Sequence, residues 1–127
     1  MRFLVDTGLL IRYLRGNKDA VQLLRALGKG DRLCISTITR LEVQVGAHPD
    51  EAYATRKLLS RLLHLVVDER IADRAGTLLY QGIGNRSISV PDAIIAATGI
   101  VHSVTLVTFN AQDFKGIAAL SLHPLSR

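Results

Sequence analysis

The 127 residues carry 48% hydrophobic and 21% charged side chains, which excludes a disordered or collagen-like chain and fits an ordinary globular protein. A chain of this length is expected to form one domain, residues 1–127, burying about two thirds of its unfolded surface without a staple. Its single cysteine, Cys34, excludes a disulfide framework and any cysteine-based zinc site, and fits a reducing, cytoplasmic compartment.

The formal net charge is +5, and the excess lies wholly before Ser87, where 14 Lys and Arg face 9 Asp and Glu. Such a basic surface suits a polyanionic partner such as nucleic acid, and equally suits plain solubility. The opening run Met1-Arg2-Phe3-Leu4-Val5-Asp6 is too short, and meets an acid too early, for a secretory signal. Ala93 to Gln112 has no formal charge and nears membrane-spanning length. Thr98, Gly99, His102, Ser103, Thr105, Thr108 and Asn110 interrupt it, so a helix followed by a buried strand is expected there and no membrane segment.

In chain order, Phe3-Leu4-Val5 does not alternate and reads as a strand buried on both faces. Leu9, Leu10, Tyr13 and Leu14 give a helical stripe that stops at Gly16-Asn17, and Val21, Leu23, Leu24 and Leu27 give the next, closed by Gly28 and Gly30. Leu33-Cys34-Ile35 is a second strand; Ser36 and Thr37 can cap a helix running to about Ala47. Ala52 to Leu63 is predicted helical, Leu65-Val66-Val67 a third strand and Glu69 to Gln81 a helix. After a loop at 82–87, a small-residue helix opens at Asp92 and runs to about Val101, with Pro91 near its first position. Val104 to Val107 is a fourth strand, and Leu120 to Leu122 a short fifth. Strands alternating with helices predict an α/β fold, a mostly parallel central sheet of about four or five strands flanked by helices.

Ligands of such sheets bind beyond the carboxyl ends of the strands. Asp6 follows the first strand, Asp113 falls in the loop after the fourth, Glu42 lies about a turn into the helix after the second, and Asp92 opens the helix before the fourth. With Ile38, Leu41 and Val45 marking the apolar stripe, the spacing puts Glu42 on the buried face. An alternative reading makes Thr39-Arg40-Leu41-Glu42 a capping box of a helix that begins late. Asp6 can be a plain N-cap, Asp92 can favour a helix dipole, and Asn110 and Asp113 can form turns. Brought together, four carboxylates would raise one another's pKa or require a divalent ion, and oxygen-only ligands favour Mg²⁺ or Mn²⁺ over zinc.

The stretches Val5-Asp6-Thr7, Ile35-Ser36-Thr37 leading to Glu42, Pro91-Asp92-Ala93-Ile94-Ile95-Ala96-Ala97 and Val107-Thr108-Phe109-Asn110-Ala111-Gln112-Asp113-Phe114 together resemble the four signatures of PIN-domain ribonucleases. The size resembles that of the VapC-type toxins of prokaryotic toxin–antitoxin pairs, and the likeness spans nearly the whole chain. Two positions depart from the pattern: Gly8 stands where such proteins often carry Ser or Asn, and Asn110 where many carry an acid. The resemblance implies a metal-dependent endoribonuclease that hydrolyses RNA phosphodiesters with metal-activated water, leaving 5′-phosphate and 3′-hydroxyl ends. It implies Asp6 and Asp92 as metal ligands, Glu42 as the group that orients water, and Asp113 or Asn110 as the fourth position of the pocket. Thr7 and Thr108 would support the carboxylates, and Arg12, Arg15, Lys18 and Arg86 would meet backbone phosphates. A small antitoxin protein covering the cleft and a homodimer are the implied partners, with RNA as substrate and Mg²⁺ or Mn²⁺ as cofactor. The rival reading is a catalytically weak PIN-like module that binds RNA or protein.

Other features carry less. Gly28-Lys29-Gly30 lacks the third glycine of a dinucleotide fingerprint, and the glycines at 82 and 84 do not follow a strand. The four histidines show no ligand spacing. Cys34, inside an apolar strand, is expected to be an inert core thiol.

Overall fold

The computed structural model describes residues 1–127. Four short strands, β1 (Arg2–Val5), β2 (Arg32–Ser36), β3 (Leu63–Leu65) and β4 (Thr105–Val107), form one sheet in the order β3-β2-β1-β4. Every pairing is parallel, with Val5 opposite Val107 and Ser36 opposite Leu65. All four carboxyl ends therefore reach the same rim. Because β2 and β4 lie on opposite sides of β1, the order of connection reverses beside β1, and a crevice opens between β1 and β4.

Six α-helices connect and cover the strands: α1 (Thr7–Leu14), α2 (Lys18–Gly28), α3 (Thr37–Gly46), α4 (Ala52–Ser60), α5 (Glu69–Gln81) and α6 (Val90–His102). Their starts follow side-chain capping chemistry. Asn17 accepts from the Ala20 amide, Ser36 from Ile38, Asp68 from Ile71, and Ser89 from Asp92. Gly82, at φ +69°, ends α5 in a conformation that L side chains rarely adopt.

The chain buries two apolar clusters, split by the alternation of β1. Leu4 joins Ile71, Ala75, Ile95, Leu106 and Phe114, whereas Phe3 and Val5 join Leu9, Leu24, Ile35, Val43 and Leu59. Cys34 is fully buried and unpaired, and burial pushes its thiol pKa up, as an inert core thiol requires. No helix is long and apolar enough to cross a membrane.

Several expected boundaries move. The fifth strand at Leu120–Leu122 is a single bridge between Leu122 and Leu106, so the sheet has four strands. The third strand is Leu63–Leu65 rather than 65–67: Val66 is solvent-exposed, and the Val67 amide turns away to the Thr37 hydroxyl at 3.1 Å. The helix expected over 52–63 ends at Ser60, because Leu63 is needed opposite Cys34. The small-residue helix starts at Val90 rather than Asp92, two residues earlier, because Ser89 supplies the cap. In α3 the buried positions are Thr39 and Val43, whereas Leu41 and Val45 are 54% and 79% exposed. The apolar stripe drawn through Leu41 and Val45 is thus on the wrong face.

Candidate functional site

Asp6 stands one residue beyond β1, and its amide donates to the Val107 carbonyl at 3.0 Å, which seats it in the crevice between β1 and β4. Asp6 as a whole is 4% exposed. Oδ1 accepts from the Thr7 amide at 2.9 Å, so the N-cap role is real, and Oδ2 accepts from the Thr108 hydroxyl at 2.7 Å. Two donors on an anion are charge-assisted bonds; they do not balance its burial. Burial pushes the Asp6 pKa up to about 6; the Thr108 and Thr7 donors pull against it, and the Asp92 and Glu42 charges add to the rise.

Glu42 reaches the same place from α3. Since α3 begins at Thr37 under the Ser36 cap, Thr39 is inside the helix and fully buried, so the capping box anchored on Thr39 does not form. Thr7 Oγ1 lies 2.8 Å from Glu42 Oε1 and 2.9 Å from Thr39 Oγ1. Having one proton, it donates to the carboxylate and accepts from Thr39. Thr39 is a site residue that the sequence reading missed. Its signal was a hydroxyl three residues before Glu42, on the same helix face, visible only once the helix phase was right.

Asp92 lies in the first turn of α6, where its amide is capped by Ser89. Burial raises its carboxyl pKa, helped by Asp113 and Glu42 and opposed by the Ser89 hydroxyl. Asp113 closes the short 3₁₀ turn Ala111–Asp113 and is exposed. The four acids therefore act on one another across four separate segments: Asp92 and Glu42 on Asp6, Asp113 and Glu42 on Asp92. None is neutralised by a cation. The two ion pairs of the molecule join Met1 to Asp31 and Arg127 to Asp19. No three carboxylates are drawn together into a closed ligand set, in keeping with Asp6 having both oxygens turned to protein donors.

The two unusual positions meet in space. A Cβ at residue 8 would come 3.2 Å from the Asn110 amide nitrogen, so Gly8 leaves room for the Asn110 side chain. The Asn110 backbone amide donates to Thr108 Oγ1 at 2.9 Å, which fixes the hydroxyl that holds Asp6. Of the basic residues singled out from the sequence, Arg12 lies over the Phe109 ring at 5.7 Å, beside Thr108. Arg86 instead donates to the Lys115 carbonyl at 2.7 Å, and Arg15 lines a separate small cavity with Val43 and Thr55.

The PIN-domain sequence profile matches residues 3–120. The chain belongs to the PIN-domain family. Among curated relatives, Ribonuclease VapC19 of Mycobacterium tuberculosis is 33% identical over 114 residues, covering 87% of this chain and 90% of the relative. Ribonuclease VapC10 of the same organism is 34% identical over 113 residues, covering 87% and 84%. Among solved structures, a toxin–antitoxin complex from Klebsiella pneumoniae is 34% identical over 98% of each chain, with a TM-score of 0.81. The fold of this PIN domain is thus that of its family over nearly the whole chain.

Proposed function

We propose that this PIN domain is a metal-dependent endoribonuclease and the toxin of a toxin–antitoxin pair. One observation carries the reading: Asp6 is buried at the strand-end crevice, its neighbour Thr7 holds Glu42 beside it, Asp92 and Asp113 stand near enough for charge to be felt, and no ion pair takes up any of the four. Leaving several acids unpaired and partly buried is unfavourable unless a cation completes the site. The donor set is all oxygen, which fits Mg²⁺ or Mn²⁺. Asp6 and Asp92, the two acids whose pKa values are raised, are the residues that would hold it.

When bound, a divalent cation supplies positive charge that eases deprotonation of water and offsets charge developing on the phosphate. The protein's own groups do the rest. Thr108 and the Thr7 amide hold the Asp6 carboxylate in one orientation, and Thr7 and Thr39 hold Glu42. Glu42 is then fixed to orient the attacking water, and Asp113 extends the negative rim past Asp92, with Asn110 beside it. The test is Mn²⁺-dependent cleavage of structured RNA by the purified chain and by Asp92→Asn. Cleavage by the chain and not by Asp92→Asn supports the proposal. Equal cutting by both would overturn it, and cutting by neither would instead mark a module that only binds RNA or protein.

Two surfaces support the proposed partners. A groove of about 480 Å³ is floored by Leu10, Tyr13, Leu24, Leu33, Leu58 and Leu62. Arg25, Lys29, Arg32 and Arg61 rim it, and its one acid, Asp31, is paired with Met1. Apolar floor and basic rim suit an antitoxin segment with apolar anchors and acidic flanks, seated in a groove that none of the four acids lines rather than over the cleft that the resemblance implied. Leu41 and Val45 stand one turn apart on α3, exposed, and are the patch we assign to a homodimer. Leu41→Glu with Val45→Glu is expected to yield a monomer by sedimentation if that assignment holds. On this reading the site of action is the cytoplasm.

A further inference from the structure

The loop after β4 brings the Thr108 hydroxyl, Asn110 and Asp113 to the crevice, yet β4 is an edge strand of only three residues. So short an edge offers little to hold a loop in place. Its outer side is occupied by the segment Ser121–Arg127. The Leu106 amide donates to the Ser121 carbonyl at 2.9 Å, and the His123 amide returns a bond to Leu106 at 2.8 Å. Further on, the contacts fall on the site loop itself. The Thr108 amide donates to Ser126 Oγ at 3.1 Å, the Arg127 amide donates to the Thr108 carbonyl at 2.9 Å, and the Ala111 amide donates to a backbone oxygen of Arg127 at 2.6 Å. Both backbone polar atoms of Thr108 are thereby fixed by two consecutive residues, leaving its hydroxyl aimed at Asp6 Oδ2.

The Arg127 side chain extends the same grip. Its guanidinium stacks on Phe109 at 4.8 Å, with Arg12 of α1 on that ring as well, and pairs with Asp19 of α2 at 3.1 Å. Loop, α1 and α2 are linked through one residue. The ion pair is more than half exposed on both sides, so it adds little to global stability, and its effect is where it holds the loop.

We propose that Ser126 and Arg127 are positioning residues of the site, a clamp that fixes the post-β4 loop so that Thr108 holds Asp6 in its working orientation. Neither touches a carboxylate of the site; they act through Thr108 and Ala111. The kinetic part of the claim rests on the ribonuclease reading, whereas the structural part does not.

The test uses the full chain, Ser126→Ala, Ser126→Thr, Arg127→Ala and a chain ending at Leu125. Amide hydrogen exchange at Thr108 and Ala111 is followed without added metal, and kcat and KM for RNA are followed with Mn²⁺. For Ser126→Ala, protection at Thr108 is expected to fall about tenfold and kcat about five- to tenfold, the loss of one hydrogen bond, with KM within about twofold. Ser126→Thr, which keeps the hydroxyl, restores both. For Arg127→Ala, protection at Ala111 falls and kcat drops about threefold, with melting unchanged to within about 2 °C. Ending the chain at Leu125 removes protection at both amides and lowers kcat about a hundredfold, as misplacing one group by an ångström can. Amides of β1 and β2 keep theirs. The proposal is overturned if Thr108 and Ala111 stay protected in all variants, if protection falls equally across the sheet, or if local protection is lost with kcat unchanged. A wild type that cuts no RNA defeats the ribonuclease reading, and the exchange data still decide whether the clamp exists.

Discussion

The strand-end crevice and the groove floored by Leu24 and Leu33 carry opposite kinds of incompleteness. In the crevice, Asp6 is buried and Asp92 half-buried, burial and the neighbouring acids raise the pKa of both, and neither meets a cation. In the groove, four cations stand around an apolar floor and the one acid is already paired. The first region lacks a small, hard positive charge; the second lacks an extended partner with apolar and acidic groups. A net charge of +5 says nothing of this division, because it averages the two. Charge placed by the fold, rather than charge counted along the chain, separates a site for chemistry from a surface for recognition.

The comparison breaks most sharply at Asp92. Asp92→Asn should lower Mn²⁺-dependent RNA cleavage by about a hundredfold or more, the scale of removing one preorganised electrostatic group, and leave the fold intact by circular dichroism. Glu42→Gln should also lose about a hundredfold in kcat while its amide oxygen still accepts from Thr7, so melting stays within about 2 °C. A large drop in melting temperature with cleavage preserved would make Glu42 a structural residue instead.

Next in size is a pH effect peculiar to the crevice. Asp6 has its carboxyl raised from 3.8 to about 6 in the folded chain. Between those values the folded state binds the proton more tightly than the unfolded state, so stability falls as pH rises through the window and the loss is complete above about 6. The rise corresponds to about 3 kcal/mol. Metal-free protein should therefore melt at a higher temperature near pH 4 than near pH 7. Asp6→Asn should flatten that slope, and Mn²⁺ should restore the melting temperature at pH 7 in the native chain alone. If Asp6→Asn melts with the native pH slope, the burial of this carboxylate is not what strains the crevice.

The smallest effect belongs to the groove. Arg25→Glu with Arg61→Glu should weaken capture of an acidic, apolar-anchored antitoxin segment about tenfold at low salt, and less at high salt, since exposed pairs are each worth under about 1 kcal/mol. RNA cleavage should be unchanged. Loss of cleavage with capture intact would mean that the cations serve the substrate and that the two regions are one site.

Much of this was legible in the chain. The unalternating run Phe3-Leu4-Val5, the cap at Ser36 and the strand–helix rhythm are local signals, and the structure keeps them. Asp6, Glu42, Asp92 and Asp113 could be listed because each sits at a recognisable distance from a strand or a helix start. Helix phase was not legible at α3. Leu41 and Val45 look like core residues, and the structure leaves them in solvent while Thr39 is buried, since an apolar side chain at an outer position carries no mark of the surface that it awaits. The end of β3 was misplaced for a related reason: Val66 and Val67 have strand propensity, but the Val67 amide is taken by Thr37, thirty residues away.

By itself, the order of residues determined an α/β chain, its parallel sheet and which acids follow which strands, because those properties depend on spacing over a few residues. Only the tertiary structure decided that the Thr7 hydroxyl serves Glu42, that Thr108 serves Asp6 across 102 residues, that Gly8 makes room for Asn110, and that Ser126 and Arg127 grip the loop carrying Thr108. Hydrogen bonds and close approaches of this kind are set by where strands lie side by side, and a linear pattern holds no record of which distant donor will face which buried acceptor.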